Sequence, residues 1–283
     1  MKIREFTVPK SRDPFVGALL INAGTDPETG EERFWTSTWN ANIGCLGALI
    51  TPSGKSRIYR FPKANDGFVC CGGYSACLTD NDTIWMMGDL KAFVKVTLST
   101  GEYEILQTGA PEFTMISTGA MQYDSTTGKI MAIAFSNDGI KAVSYDTKAK
   151  KTVKIHEHFS IGTCCFGSFP NGDGTYTFKF NKSENALYQW DPAEETLIKR
   201  TDIVVNLAWG TVIKDDAGRA YIPEVGWLNL SDYSFDKDNL PEFERIWFAR
   251  RGNIAYGYAP DELGNKFFTC DITTGKVDRN SVV

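Results

Sequence analysis

Residues 34–62, FWTSTWNANIGCLGALITPSGKSRIYRFP, hold three apolar-aromatic runs cut by turn signals. The runs are short, rich in aromatic and β-branched residues, and bounded by Asn, Gly, Ser and Pro. That is the pattern of strands joined by turns, not of a helix. Three such strands read like part of a larger unit, so the same pattern should recur along the chain.

It does recur. Turn signals follow apolar runs at ITPSG (50–54), TLSTG (97–101), YDTKAKK (145–151), WDPAEE (190–195), LNLSD (228–232) and CDITTG (270–275). They are spaced by roughly 37 to 49 residues, the period of four-stranded propeller blades. Units two to four each divide into four strand-like runs. In the second these are YSACLTD, TIWMMGD, AFVKVTL and EYEILQT, and in the third GAMQYDS, KIMAIAFS, IKAVSYD and TVKIHEH. In the fourth they are CFGSFPN, TYTFKFN, ALYQWD and TLIKRT. The links DNDT, DSTTGK, NGDGT, DDAGR and ARRGN carry hairpin chemistry between the first two runs of a unit. Dense apolar runs predict strands buried on both faces, and the alternation in TVKIHEH predicts a half-exposed outer strand.

The expected fold is therefore all-β, a single propeller over residues 1–283. Six anchors predict six four-stranded blades, or seven if residues 1–33 hold a further unit. KIREFTVPKSRDPFVGALLIN resembles SRIYRFPKANDGFVCCGGYSACL, so residues 2–9 read as an outer strand without a blade of its own. Pairing that strand with the last unit would close the ring and remove exposed sheet edges. The opening stretch then supplies the second to fourth strands of the first blade.

FWTSTWNANIGCLGALITPSGKSRIYRFP also resembles the repeat of the streptogramin-lyase-like, YVTN-type propellers. In that repeat a WFT strand leads through an Asn-rich bend to IG, a turn and a strand ending in Pro. TIWMMGDLKAFVKVTLSTGEYEIL (83–106) is a weaker echo. The resemblance implies a propeller. It would imply lyase chemistry only with an active-site His, and neither histidine, His156 or His158 in KIHEHF, falls at the expected channel mouth.

Composition narrows the function classes. The chain has 42% hydrophobic residues, 13% aromatic residues and 26 glycines, which suits many short strands and tight turns. Net charge is -5, so nothing favours a phosphate backbone and nucleic-acid binding is not expected. MKIREFTVPK lacks the apolar core of an export signal, and FVGALLI (15–21) is too short to span a bilayer. The seven cysteines are odd in number. A cytoplasmic chain with reduced thiols and no membrane partner is expected.

In a propeller the connections from the second to the third strand, and from the fourth to the next first, lie on the face that usually carries function. Residues ending the second strands are Asn40, Asp89, Asn137, Asn181 and Glu224, with Tyr258 and Asp261 in the sixth unit. Carboxylate and amide oxygens converging there suit Ca²⁺ or Mg²⁺, with Asp89, Asn137, Asn181 and Glu224 as ligands. Six-bladed lactone hydrolases are similar in holding a central cation with Glu, Asp and Asn oxygens. The competing reading is that Asn and Asp end strands because they form turns. The connections leading into first strands offer Tyr74, Thr118, Phe166, Trp209 and Arg250 which, with Trp39, would make an aromatic and hydrogen-bonding wall, Arg250 holding a carboxylate. The same aromatics also suit a core between blades. The doublets Cys70-Cys71 and Cys164-Cys165 read as small buried hydrophobes or a redox pair.

Two functions follow. One is binding of a small oxygen-rich molecule such as a lactone, cyclic ester or sugar, with lyase or hydrolase chemistry if the chain is an enzyme. A divalent cation would then act as Lewis acid, and Glu224 or Asp89 as base. The rival is a non-catalytic scaffold for a protein partner.

Overall fold

The computed structural model describes residues 21–37, 46–51, 53, 55–60, 76–89, 91–110, 117–136, 139–158, 165–171, 173–180, 186–204, 213–214, 218–222, 226–236, 247–251, 253–261, 264–271, 273–274 and 276–278, for part of them the backbone alone. Among them no helix occurs, and every strand belongs to one of six four-stranded sheets.

The first sheet is β1 (Ile21–Thr25), β2 (Glu32–Ser37), β3 (Leu46–Ile50) and β4 (Ser56–Arg60). The second is β5 (Ala76–Asp80), β6 (Thr83–Asp89), β7 (Ala92–Thr97) and β8 (Tyr103–Gln107). The third is β9 (Ser117–Asp124), β10 (Lys129–Ser136), β11 (Gly139–Asp146) and β12 (Lys151–His158). The fourth is β13 (Cys165–Pro170), β14 (Tyr176–Phe180), β15 (Ala186–Asp191) and β16 (Thr196–Val204). The fifth is β17 (Ile213–Lys214), β18 (Arg219–Ile222), β19 (Gly226–Asn229) and β20 (Phe235–Asp236). The sixth is β21 (Trp247–Arg251), β22 (Ile254–Asp261), β23 (Gly264–Asp271) and β24 (Val277–Asp278). In each, the four strands A to D pair in chain order. The runs TIWMMGD, KIMAIAFS and ALYQWD coincide with β6, β10 and β15 residue for residue. All six turn anchors fall between strands C and D. Beside β23, Val277 pairs with Cys270 and Asp278 with Thr269, so the C-terminal tail supplies a D strand. Residues 2–9, expected to close the ring, lie outside the described residues.

The chain groups into two compact units, one carrying the first three sheets and the other the last three. In the first unit the core lies between sheets. Trp35, Leu49 and Tyr59 of the first sheet pack with Ile84, Met86, Val94 and Val96 of the second. The opposite faces of the same strands, Trp85, Met87 and Phe93, pack with Ile130, Ala132, Val143 and Tyr145 of the third. A strand alternates its side chains between two faces, so burying both faces requires an unbroken apolar run. That is why β6 reads TIWMMGD rather than an alternating pattern. In the second unit Leu187 of β15 packs with Leu228 and Tyr233 of the fifth sheet.

Polar clasps join neighbouring sheets in the first unit. The Asn81 side chain, in the A–B turn of the second sheet, accepts from the Thr25 N–H (2.8 Å) and donates to the Thr25 carbonyl (3.1 Å). Arg33 donates to the Asn81 carbonyl. Arg57 donates to the carbonyls of Leu98 (2.8 Å) and Ser99 (2.6 Å), and the buried Tyr59 hydroxyl to Leu98 (2.7 Å). Lys150 forms an ion pair with Glu104 at 2.9 Å, and the Thr152 hydroxyl donates to the Thr108 carbonyl.

Several hairpins at the A–B and C–D end share one device. A five-residue turn closes with an N–H from its fifth residue back to the first carbonyl, as in Gly101 to Thr97 (2.7 Å) and Gly128 to Asp124 (2.8 Å). The fifth residue takes positive φ, 81° at Gly101 and 69° at Gly128, where glycine alone is unstrained. Where the first residue is Asp, its carboxylate accepts from inside the turn. Asp146 accepts from the N–H groups of Lys148 and Ala149, and Asp191 from those of Ala193 and Glu194. Asp271 accepts from the N–H and hydroxyl of Thr273.

Candidate functional site

By chain position, most candidate residues fall in the connections where B passes to C and D to the next A. Trp39 and Asn40 fall between β2 and β3, Tyr74 between β4 and β5, and Asn137 between β10 and β11. Asn181 falls between β14 and β15, Trp209 between β16 and β17, and Glu224 between β18 and β19. These seven lie outside the described residues.

Four more are placed by their backbone. Asp89 is the last residue of β6, where pairing steps from Met87–Phe93 to Asp89–Ala92, leaving one extra residue on β6. Thr118 is the second residue of β9. There the register steps from Ala120–Ile133 to Ser117–Phe135, so Thr118 and Gly119 together oppose one residue of β10. Both are β-bulges, which bend a strand and re-aim a side chain. A third bulge at the same end puts Phe248 out of register in β21. Phe166 is the second residue of β13, and Tyr258 pairs with Phe267 three residues before β22 ends at Asp261.

Arg250 is placed differently. It pairs with Ala255, one step from the Arg251–Ile254 pair that flanks the A–B turn. It is three residues past the start of β21, about 10 Å along the strand at the usual rise. Its backbone sits at the hairpin end of the sixth sheet, not at the end where the chain enters strand A. The bulge at Phe248 and the shortness of the strand put it there, and the run IWFARRG shows neither.

At the hairpin end, Asp residues outside the candidate set act as turn acceptors. Backbone N–H groups of Glu28 and Thr29 hold the Asp26 carboxyl below its ordinary value, and those of Ala149 and Lys148 do so for Asp146. The Ser234 hydroxyl and N–H lower Asp232, and those of Thr273 lower Asp271. At Asp124 partial burial pushes upward, and the Thr127 hydroxyl with turn N–H groups outweighs it. These carboxylates are engaged as turn acceptors. Among the described residues, no three His, Cys, Asp or Glu side chains are grouped to hold a metal ion. Cys77 is buried between the second and third sheets, and burial pushes its thiol pKa far up, the behaviour of a small hydrophobe. His156 is buried on the D strand β12, opposite Ala142.

No family model matches the chain, and no curated protein matches it. Solved structures do. A chain of the nidogen/laminin complex is 9% identical at a TM-score of 0.59, covering 87% of this chain and 91% of that one. Oligogalacturonate lyase in complex with manganese is 10% identical at 0.52, covering 93% and 84%. TolB from Acinetobacter baumannii is 11% identical at 0.53, covering 88% and 65%. The chain spans less than two thirds of TolB, and of the U3-55K and RRP9 WD40-repeat chains that it also matches. At such identities the likeness carries the fold alone. The sheets and these neighbours together establish an all-β chain of the β-propeller-repeat fold.

Proposed function

We propose that the chain binds a small oxygen-rich molecule, such as a lactone, cyclic ester or sugar, at the end of its sheets where B passes to C and D to A. One observation carries the reading: Asp89 and Thr118 sit at bulges at that end of the second and third sheets. Trp39, Tyr74, Phe166, Trp209 and Tyr258 would supply stacking surface. Asn40 and Thr118 would supply hydrogen bonds to hydroxyl or carbonyl oxygens. Arg250 would hold a carboxylate of the ligand.

Asp89, Glu224, Asn137 and Asn181 form a donor set of hard oxygens, the chemistry that Ca²⁺ and Mg²⁺ select. Such an ion would polarise a substrate carbonyl. The chain's own part in a lyase or hydrolase reaction would be proton removal by the Asp89 or Glu224 carboxylate.

The test is a thermal-shift titration with Ca²⁺, Mg²⁺, Mn²⁺ and Zn²⁺ after chelator treatment, on the wild type and on Asp89→Ala and Glu224→Ala. A saturable rise in Tm, lost in both variants, is expected. No shift with any of the four ions removes the cation, and a lactone and sugar panel without metal then decides the pocket.

A second reading, a surface for a protein partner, is favoured by apolar side chains on the outer D strands. Ile58, Tyr103, Ile105, Val153 and Ile198 are each at least 39% exposed.

A further inference from the structure

The outer edge of the third sheet is strongly basic, as is β4 with Arg57 and Arg60, but at β4 Arg57 is tied to the carbonyls of Leu98 and Ser99. Residues 147–156, TKAKKTVKIH, cover the C–D turn of the third sheet and most of β12, and hold four lysines and no carboxylate. The chain as a whole is acidic, with net charge -5. Lys148, Lys150, Lys151 and Lys154 are all exposed. Lys150 is drawn to Glu104, with both side chains near half exposure. The outer strand of the neighbouring second sheet has the opposite sign, with Glu102 and Glu104 and no lysine across 102–107.

The backbone of the same strand is an edge. β12 ends the order β12-β11-β10-β9 and, among the described residues, pairs with β11 alone. It has eight residues, long enough to template a partner strand. Pairing slips between Ser144–Lys154 and Tyr145–Thr152, so Val153 is the bulged residue, 49% exposed beside the lysines.

We propose that the β12 edge docks an extended acidic segment of a partner protein by strand addition. Backbone pairing would give the geometry, Lys151 and Lys154, brought to one face by the bulge between them, would face carboxylates on alternate residues of the partner, and Lys148 in the adjoining turn would add positive charge, with Val153 meeting one apolar side chain. A strand edge offers amide and carbonyl groups in a row, which a peptide backbone matches and a phosphate chain does not. Lysines on an edge also discourage self-pairing of identical chains. Both effects select the same partner, a strand of opposite charge.

The experiment uses the full chain and a fluorescein-labelled peptide, Glu-Thr-Glu-Val-Glu-Thr-Glu, in fluorescence anisotropy. Saturable binding is expected, weakening at least tenfold when NaCl is raised from 50 to 200 mM. The same peptide N-methylated at alternate backbone positions should lose binding, since it cannot pair. Lys148→Glu/Lys151→Glu should lose the acidic peptide and gain Lys-Thr-Lys-Val-Lys-Thr-Lys, with Tm unchanged. That swap keeps the test valid because a misfolded variant would gain nothing. Equal binding of the N-methylated peptide would overturn strand addition. Tighter binding of a single-stranded DNA oligonucleotide than of the peptide would overturn the choice of partner. So would concentration-dependent association of the chain alone that the double variant abolishes, which would give the edge to the Glu102/Glu104 strand of a second copy.

Discussion

Substituting Gly47 tests how the first sheet is packed. Gly47 is buried in β3 opposite Ser37, and a Cβ there would lie 2.2 Å from both Cη2 and Cζ2 of Trp35. Ordinary van der Waals contact needs more than 3.4 Å, so the indole would have to withdraw by over an ångström. It has nowhere to go: Trp35 is 0% exposed, its ring centroid is 5.2 Å from that of Tyr59, and Leu49 and Met86 belong to the same cluster. Overpacking of this kind costs about 1–3 kcal/mol, so Gly47→Ala should lower the unfolding free energy by that amount, read as a lower urea midpoint with the m-value unchanged. Trp35→Phe removes the benzo edge that carries both clashing atoms. Alone it should cost about 1–2 kcal/mol in lost apolar burial. In its presence Gly47→Ala should be nearly neutral, giving a coupling of about 1–3 kcal/mol in the double-mutant cycle. The readout is urea unfolding followed by far-UV circular dichroism. Additivity within about 0.5 kcal/mol would refute the close approach on which the reasoning stands.

The remaining predictions concern turns, clasps and the buried thiol. Asp26, Asp124, Asp146, Asp232 and Asp271 have folded-state pKa values below the ordinary 3.8, so their contribution to stability is complete above that value and is lost as pH falls through the folded values. Tm should hold steady down to about pH 4 and drop below it, less steeply in Asp271→Asn, as read by calorimetry across a pH series. Asn81→Ala removes both side-chain hydrogen bonds to Thr25 and should cost roughly 1–2 kcal/mol, the low side for two bonds because the site is exposed. Cys77 should resist iodoacetamide in the native chain and label fully in 6 M guanidinium, measured by mass spectrometry of its peptide; native labelling would contradict its burial.

Much of the fold was legible because its determinants are local. A buried two-faced strand must be an unbroken apolar run, so β6 and β10 could be bounded to the residue. The C–D hairpins could be found because most open on a short polar residue and, at Gly101, Lys150, Glu195 and Tyr233, place their fifth residue in the left-handed region. The site was less legible because its determinants are not local. Bulges at Gly88–Asp89, Thr118–Gly119 and Phe248 change where a side chain points, yet no composition marks them. In β16 the register jumps from Leu187–Arg200 to Ala186–Val204, lengthening the strand past the run TLIKRT. Arg250 shows the same difficulty, since its end of the strand depends on where the hairpin turns.

The core between sheets has a consequence for synthesis. The face of the first sheet that carries Trp35, Leu49 and Tyr59 is covered by residues 76–98 of the second. Until Leu98 has left the ribosome, that face has nothing to rest against. Synthesis from Arg60 to Leu98 takes roughly 2–8 s at the usual rate of about 5–20 residues per second. Through that interval the nascent chain presents an indole and a phenol ring to solvent or to whatever holdase meets it. The same interval returns with each new sheet of this unit, Trp85 and Phe93 waiting for residues 121–145.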